Sequence, residues 1–113
     1  MNIDSYSFGK IVIEGKRFNS DLIIYPEKID ASWWRNVGHL VQLEDLTAVL
    51  AASPEVLIIG TGYMGLMKVP EELRKELRKK NIELYIEDSR RAVEVFNSIN
   101  TNRTTIAAFH LTC

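Results

Sequence analysis

The chain reads as one α/β domain: a short three-stranded parallel core sheet with helical crossovers, plus an N-terminal β-hairpin subdomain. Three observations predict it. Apolar and polar residues alternate in the first quarter, with turn residues between the runs. Beyond residue 42, amphipathic segments of helical period alternate with short apolar runs, the pattern of parallel strands covered by helices. Finally, 113 residues are enough for one core and too few for separate cofactor and substrate domains. The expected unit is a single domain over 1–113.

Each element has its own signal. In FGKIVIEGKRFNSDLIIYP, Ile11 and Ile13 alternate with Lys10, Val12 and Glu14, and Gly15-Lys16 supplies a tight turn. Phe18 and then Leu22 to Tyr25 supply returning strands, stopped by Pro26. Lys28 to Val41 is less regular and holds Trp33-Trp34, which extended backbone would point to opposite faces. Leu43, Leu46, Val49 and Leu50 fall at helical spacing, with acids in the first turn and Pro54 past the end. Glu55 to Ile59 is a strand. The next helix starts at Val69 or Pro70, with Glu71 and Glu72 at its positive end and Lys79 and Lys80 at its negative end. Glu71 with Lys75, and Glu76 with Lys80, are spaced for ion pairs. Ile82, Leu84 and Ile86 form the next strand. Asp88 or Ser89 caps a helix burying Ala92, Val93, Phe96 and Ile99, and TTIAAFHLT is the last strand.

Composition narrows the function classes. Apolar residues make up 46% and charged residues 26%, and 14 basic against 15 acidic side chains leave a net charge of −1. That balance carries no domain-wide footprint for nucleic acid, and no nucleic-acid partner is expected. No apolar run is long enough to span a bilayer, and no signal or transit peptide is visible. A single cysteine, Cys113, suits a reducing compartment. The expected location is cytoplasmic, with no membrane partner.

The motif that invites a specific chemistry is Gly60-x-Gly62-x-x-Gly65 behind an apolar run. In a dinucleotide turn the helix begins near the second glycine, so that its free N–H groups face the pyrophosphate. Here Pro70 would fall inside such a helix, at a cost of ~3 kcal/mol. A long loop over Gly60 to Lys68 is the better reading, with the glycines permitting positive φ and close backbone approach. No cofactor is expected.

Loops after parallel strands open on the carboxyl edge of the sheet, where α/β ligands usually bind. Gly60, Thr61 and Gly62, then Ser89 and Arg90, then His110 and Cys113 would converge there as a candidate edge for a ligand or partner. His110 and Cys113 are three residues apart, but zinc wants three or four protein ligands and the other histidine, His39, is remote, so no metal site is expected. No Ser–His–acid triad, close carboxylate pair or phosphate-binding lysine loop is present, and no catalytic residue is assigned. Trp33, Trp34 and Arg35 form a candidate partner surface, one tryptophan being equally suited to the core. The basic run from Arg74 to Lys80 is interleaved with glutamates and reads as a solvated helix face.

The segments YSFGKIVIEGKRFNSDLIIYP, SWW, GHLVQLEDL, PEVLIIGTGYMGLMKVPEEL, AVEVFNSI and AAFHLTC occur in this order. Together they resemble the adipogenesis-associated MTH-like domain family, over nearly the whole chain. Its most specific parts here are the I-G-T-G loop and the terminal H-x-T-C. The resemblance implies a compact α/β domain with a three-stranded parallel core and a hairpin subdomain, and neither an established enzymatic activity nor a cofactor. Eukaryotic members of the family, a mitochondrial complex I assembly factor among them, are described through assembly or regulatory roles. The expected function is therefore a small non-catalytic binding module for protein partners or for a second copy of itself. The alternative is a binder of, or minor enzyme on, a small anionic ligand held by Thr61, Gly62, Ser89 and Arg90, with any chemistry coming from His110 and Cys113.

Overall fold

The computed structural model describes residues 1–99 and 102–113. Its first element is an antiparallel sheet of three strands in sequence order: β1 (Ile3–Ser7), β2 (Lys10–Ile13) and β3 (Lys16–Phe18). The turn between β2 and β3 is Glu14-Gly15, with φ of 48° and 79°, and it joins the paired residues Ile13 and Lys16. Two central residues at positive φ match the right-handed twist of the strands they join. The expected hairpin is thus a three-stranded sheet whose turn sits one residue earlier than its sequence suggests. β1 is an edge strand with little apolar alternation: Ile3 is its one buried residue, and a bulge interrupts its register between Ile3 and Ser5.

The second sheet has five strands rather than three parallel ones, in the spatial order β5 (Ile29–Asp30), β4 (Leu22–Ile24), β8 (Thr105–His110), β6 (Val56–Thr61) and β7 (Glu83–Glu87). β6 lies parallel to both β7 and β8. β4 runs antiparallel to β8, and β5 pairs outside it. The reason is visible in Leu22-Ile23-Ile24, buried on both faces. An unbroken apolar triplet needs an interior position, and a solvated hairpin offers only one covered face. The chain therefore leaves the first sheet after Phe18 and docks on β8.

Period-two alternation divides the core. Leu57, Ile59, Ile106 and Ala108 face a cluster with Trp33, Leu46, Val49, Leu73 and Leu77. Val56, Ile58, Ala107 and Phe109 face the opposite way, against Ile11, Ile13 and Ala92. On the first side lie a 3₁₀ turn (Leu43–Leu46) continuing into α1 (Thr47–Ala51), and α2 (Glu71–Lys79). The other side is covered by α3 (Ser89–Ser98) and the N-terminal sheet.

The helix expected around Leu43 to Leu50 is thus a two-part element, with Leu43 left exposed. Pro70 stands immediately before α2 in extended conformation (φ −58°, ψ 149°), so the helix begins beside the proline as expected. On its surface Glu76 pairs with Lys79 at 3.7 Å rather than with Lys80. Asp88 caps α3 by accepting the Arg91 N–H at 3.0 Å.

Candidate functional site

The carboxyl ends of β6, β7 and β8 meet at Ser89, the first residue of α3. Its buried hydroxyl donates to the His110 carbonyl at 2.6 Å and accepts the Gly62 N–H at 2.9 Å. The Ser89 N–H donates to the Gly62 carbonyl at 2.9 Å, and the Thr61 hydroxyl donates to the Glu87 carbonyl at 3.1 Å. Ser89 and Thr61 thus tie the three strand ends into one closed seam.

The glycines follow from that closeness. A Cβ on Gly60 would lie 2.7 Å from Phe109 Cδ1 and 2.8 Å from Ser89 Oγ. Gly62 has φ +104°, and a Cβ there would lie 2.4 Å from the Cys113 carbonyl carbon. The chain then runs as a loop to Pro70, strapped over the edge by Tyr63 N–H to Thr112 O at 2.7 Å, Leu66 N–H to Cys113 O at 3.0 Å and Lys68 N–H to His39 O at 2.8 Å. No helix starts at the motif. The structure brings Gly60, Thr61, Gly62, Ser89, His110 and Cys113 together, largely through backbone. Arg90 sits beside them with its guanidinium over the Tyr63 ring at 4.5 Å and its side chain mostly in solvent.

Behind this seam lies a polar centre built on a residue that sequence reasoning missed, Asp21. Its Oδ2 accepts from Arg35 Nη2 at 2.7 Å and lies 2.7 Å from His110 Nδ1. Its Oδ1 accepts the Leu111 N–H at 2.8 Å, and its carbonyl accepts the Trp33 N–H at 2.9 Å. The carboxylate places a proton on His110 Nδ1. The 3.2 Å approach of Arg35 Nη2 to His110 Nδ1 is then a meeting of two donors that share one oxygen. Burial pushes the Asp21 carboxyl up, but the hydrogen bonds from His110, Arg35 and the Leu111 N–H more than offset this and hold it below the usual carboxylate range. Two buried atoms in this centre, His110 Nε2 and Arg35 Nη1, have no hydrogen-bond partner among the described residues. The exposed His39 ring sits edge-on to His110, centroids 5.4 Å apart.

The tryptophan pair divides as an extended dipeptide must. Trp33 is buried, donates from Nε1 to the Asp45 carbonyl at 3.0 Å, and carries the Arg35 guanidinium 4.5 Å above its ring. Trp34 is 73% exposed. Of the three candidate surface residues, Trp34 alone faces solvent; Arg35 is buried on Asp21 and covers Trp33.

Solvent meets the loop after β6 at apolar side chains: Met64 is 66% exposed and Leu66 54%. Phe8, 56% exposed at the β1–β2 turn, lies edge-on to Tyr63 at 6.0 Å. Tyr6, 6.2 Å from the same ring, donates its hydroxyl to the Leu111 carbonyl at 2.7 Å, and burial raises its pKa to about 12. Cys113 is half-buried and forms no disulfide. Among the described residues no group of three or more His, Cys, Asp or Glu is placed to hold a metal ion, and no helix is long and apolar enough to cross a membrane.

Comparison with known proteins adds a family and a fold, and no chemistry. The family model described as "Protein of unknown function (DUF498/DUF598)" matches residues 3–111. The chain is 29% identical over 112 residues to the Xenopus tropicalis protein named NADH dehydrogenase [ubiquinone] 1 alpha subcomplex assembly factor 3; the match takes in 96% of this chain and 59% of that protein's length. A conserved hypothetical protein of Pyrococcus horikoshii superposes with a TM-score of 0.83 at 26% identity, over the whole of both chains. A Bartonella henselae protein titled an outer membrane protein superposes with a TM-score of 0.80 at 31% identity, over 98% of this chain and 94% of that one. A Bordetella pertussis protein described as an Mth938-like domain, at 20% identity and a TM-score of 0.66 over 97% and 85% of the two chains, shares the fold. The resemblance read from the segments of the sequence is thereby shown, and the chain belongs to the DUF498/DUF598 family of proteins of unknown function.

Proposed function

We propose that this domain is a non-catalytic module that docks on another protein through the surface outside the carboxyl edge of its sheet, in the manner of an assembly or regulatory factor. The observation that carries this is the exposure of Phe8, Met64 and Leu66 over a closed seam of strand ends. Exposed apolar residues on ordered, strapped loops are what a partner covers. Trp34 extends the surface along the segment that Lys68 and His39 join to the loop. A relative named for assembly of a larger complex supports a protein partner.

The small-anion alternative has less support. The Ser89 and Gly62 N–H groups that would face an anion are already engaged with each other's residues, and Arg90 is engaged with Asp88 at 3.8 Å and with the Tyr63 ring.

The test uses the chain tagged and expressed in its own cells. On size exclusion the chain elutes in a fraction of higher mass than the purified protein. The double variant Met64→Asp, Leu66→Asp returns it to the monomer volume. Lys75→Glu, on the exposed face of α2, leaves the complex in place. A double variant that folds normally and stays in the complex sinks this reading.

A further inference from the structure

Beside Met64 the edge opens into a cleft of about 510 Å³ whose apolar floor is Met64, Met67 and Ile86. Its lining carries both signs: Lys68 from the loop after β6 and Arg74 from α2, against Glu87 at the end of β7 and Asp88, which pairs with Arg90 at 3.8 Å. Arg74 donates from Nε to the Val69 carbonyl at 2.9 Å, which fixes its position at the wall. None of Lys68, Arg74 and Glu87 forms an ion pair among the described residues. The cleft thus keeps Lys68, Arg74 and Glu87 outside any ion pair beside Ile86 and two methionines, whose unbranched thioether side chains adapt to the shape of what they receive.

We propose that this cleft receives one apolar side chain of a partner protein, flanked in that partner by a basic residue meeting Glu87 and an acidic residue meeting Lys68 and Arg74. The proposal rests on the docking surface argued above and specifies the partner's chemistry there. Charge complementarity selects a foreign chain over a second copy of this one. None of the exposed apolar residues Phe8, Trp34, Val37, Leu43 and Leu66 has both a basic and an acidic residue within two positions of it. The floor also continues into the exposed Met64 and Leu66 surface, which a protein segment covers and a free zwitterion does not.

The test titrates ¹⁵N-labelled protein with the blocked peptide acetyl-Lys-Ser-Leu-Ser-Glu-amide, and with two controls in which both termini carry Lys or both carry Glu. The mixed peptide shifts the amide signals of Gly65, Met67 and Glu87. Each control binds about three- to fivefold more weakly, the loss of one exposed charge pair. Glu87→Lys reverses the preference toward the peptide with two Glu. Lys68→Glu, at an exposed position, reverses it toward the peptide with two Lys and keeps the test open should Glu87→Lys fail to fold. Equal affinities for the three peptides overturn the proposal, as does the absence of shifts at those amides. Free leucine shifting the same signals at the same affinity also overturns it, in favour of a small zwitterion. The two readings separate: if Met64→Asp, Leu66→Asp dissolves the cellular complex while the peptides leave the cleft untouched, the docking surface stands and the cleft's role falls.

Discussion

Asp21 and His110, 89 residues apart in the chain, meet at 2.7 Å and hold the start of β4 to the end of β8. The same carboxylate oxygen takes Arg35, so one acidic residue positions both a buried guanidinium and a buried imidazole.

Asp21→Asn leaves the Arg35 charge buried without its counter-ion, and breaking such a pair costs about 3 kcal/mol. The pH dependence has a fixed sign. The folded-state pKa of Asp21 lies below its unfolded value, so its stabilisation is complete above the unfolded value of about 3.9. That stabilisation is lost as pH falls through the folded value. Melting temperatures of wild type and Asp21→Asn should lie far apart at neutral pH and converge in acid. A gap that stays constant down to about pH 2 would show that the Asp21 charge is not what stabilises the fold.

Ser89→Ala strands the buried Gly62 N–H and removes a donor from the His110 carbonyl. The expected loss is about 1–3 kcal/mol by urea unfolding. Gly62→Ala should be worse, because its Cβ would meet backbone at 2.4 Å at φ +104°, whereas Gly65→Ala meets its first atoms at 3.6 Å. Equal stability for the two alanine variants would remove the close approach as the reason for Gly62.

The two tryptophans should separate in fluorescence. Trp34→Phe shifts the emission of the remaining indole to shorter wavelength and protects it from acrylamide, since Trp33 is buried against Arg35. It leaves stability within about 0.5 kcal/mol. Trp33→Ala costs about 3–5 kcal/mol. Red-shifted, readily quenched emission from Trp34→Phe would contradict the burial of Trp33.

Ser53 follows the C-cap of α1 at φ 50°, a left-handed position that glycine adopts without steric cost. Ser53→Gly should raise stability by about 0.5–1 kcal/mol. An unchanged or lowered midpoint in urea would place the strain elsewhere.

Local chemistry was legible and long-range pairing was not. Pro70 set the start of α2, and with it the reading of the glycine motif as a loop. Asp88 announced the cap of α3, because a cap needs only its neighbours three residues away. The fate of Leu22-Ile23-Ile24 was hidden, since nothing in three apolar residues says which strand they join; that was settled by β8, 83 or more residues downstream. Asp21 carries no local signal of its own ahead of β4. Its partners lie 14 and 89 positions away, and no sequence window contains both. The sequence did not mark Arg35 as buried; only its burial in the structure shows that its charge requires a carboxylate.

The place of β8 has a consequence for the newborn chain. It is the last strand in the sequence and the middle strand of the larger sheet, and β4 and β6 meet only through it. While the ribosome still holds residues 105–110, both strands present open apolar edges and neither can pair with the other. The larger sheet therefore cannot close until those residues are free, and until then the apolar edges of β4 and β6 depend on whatever shields a nascent polypeptide from its neighbours.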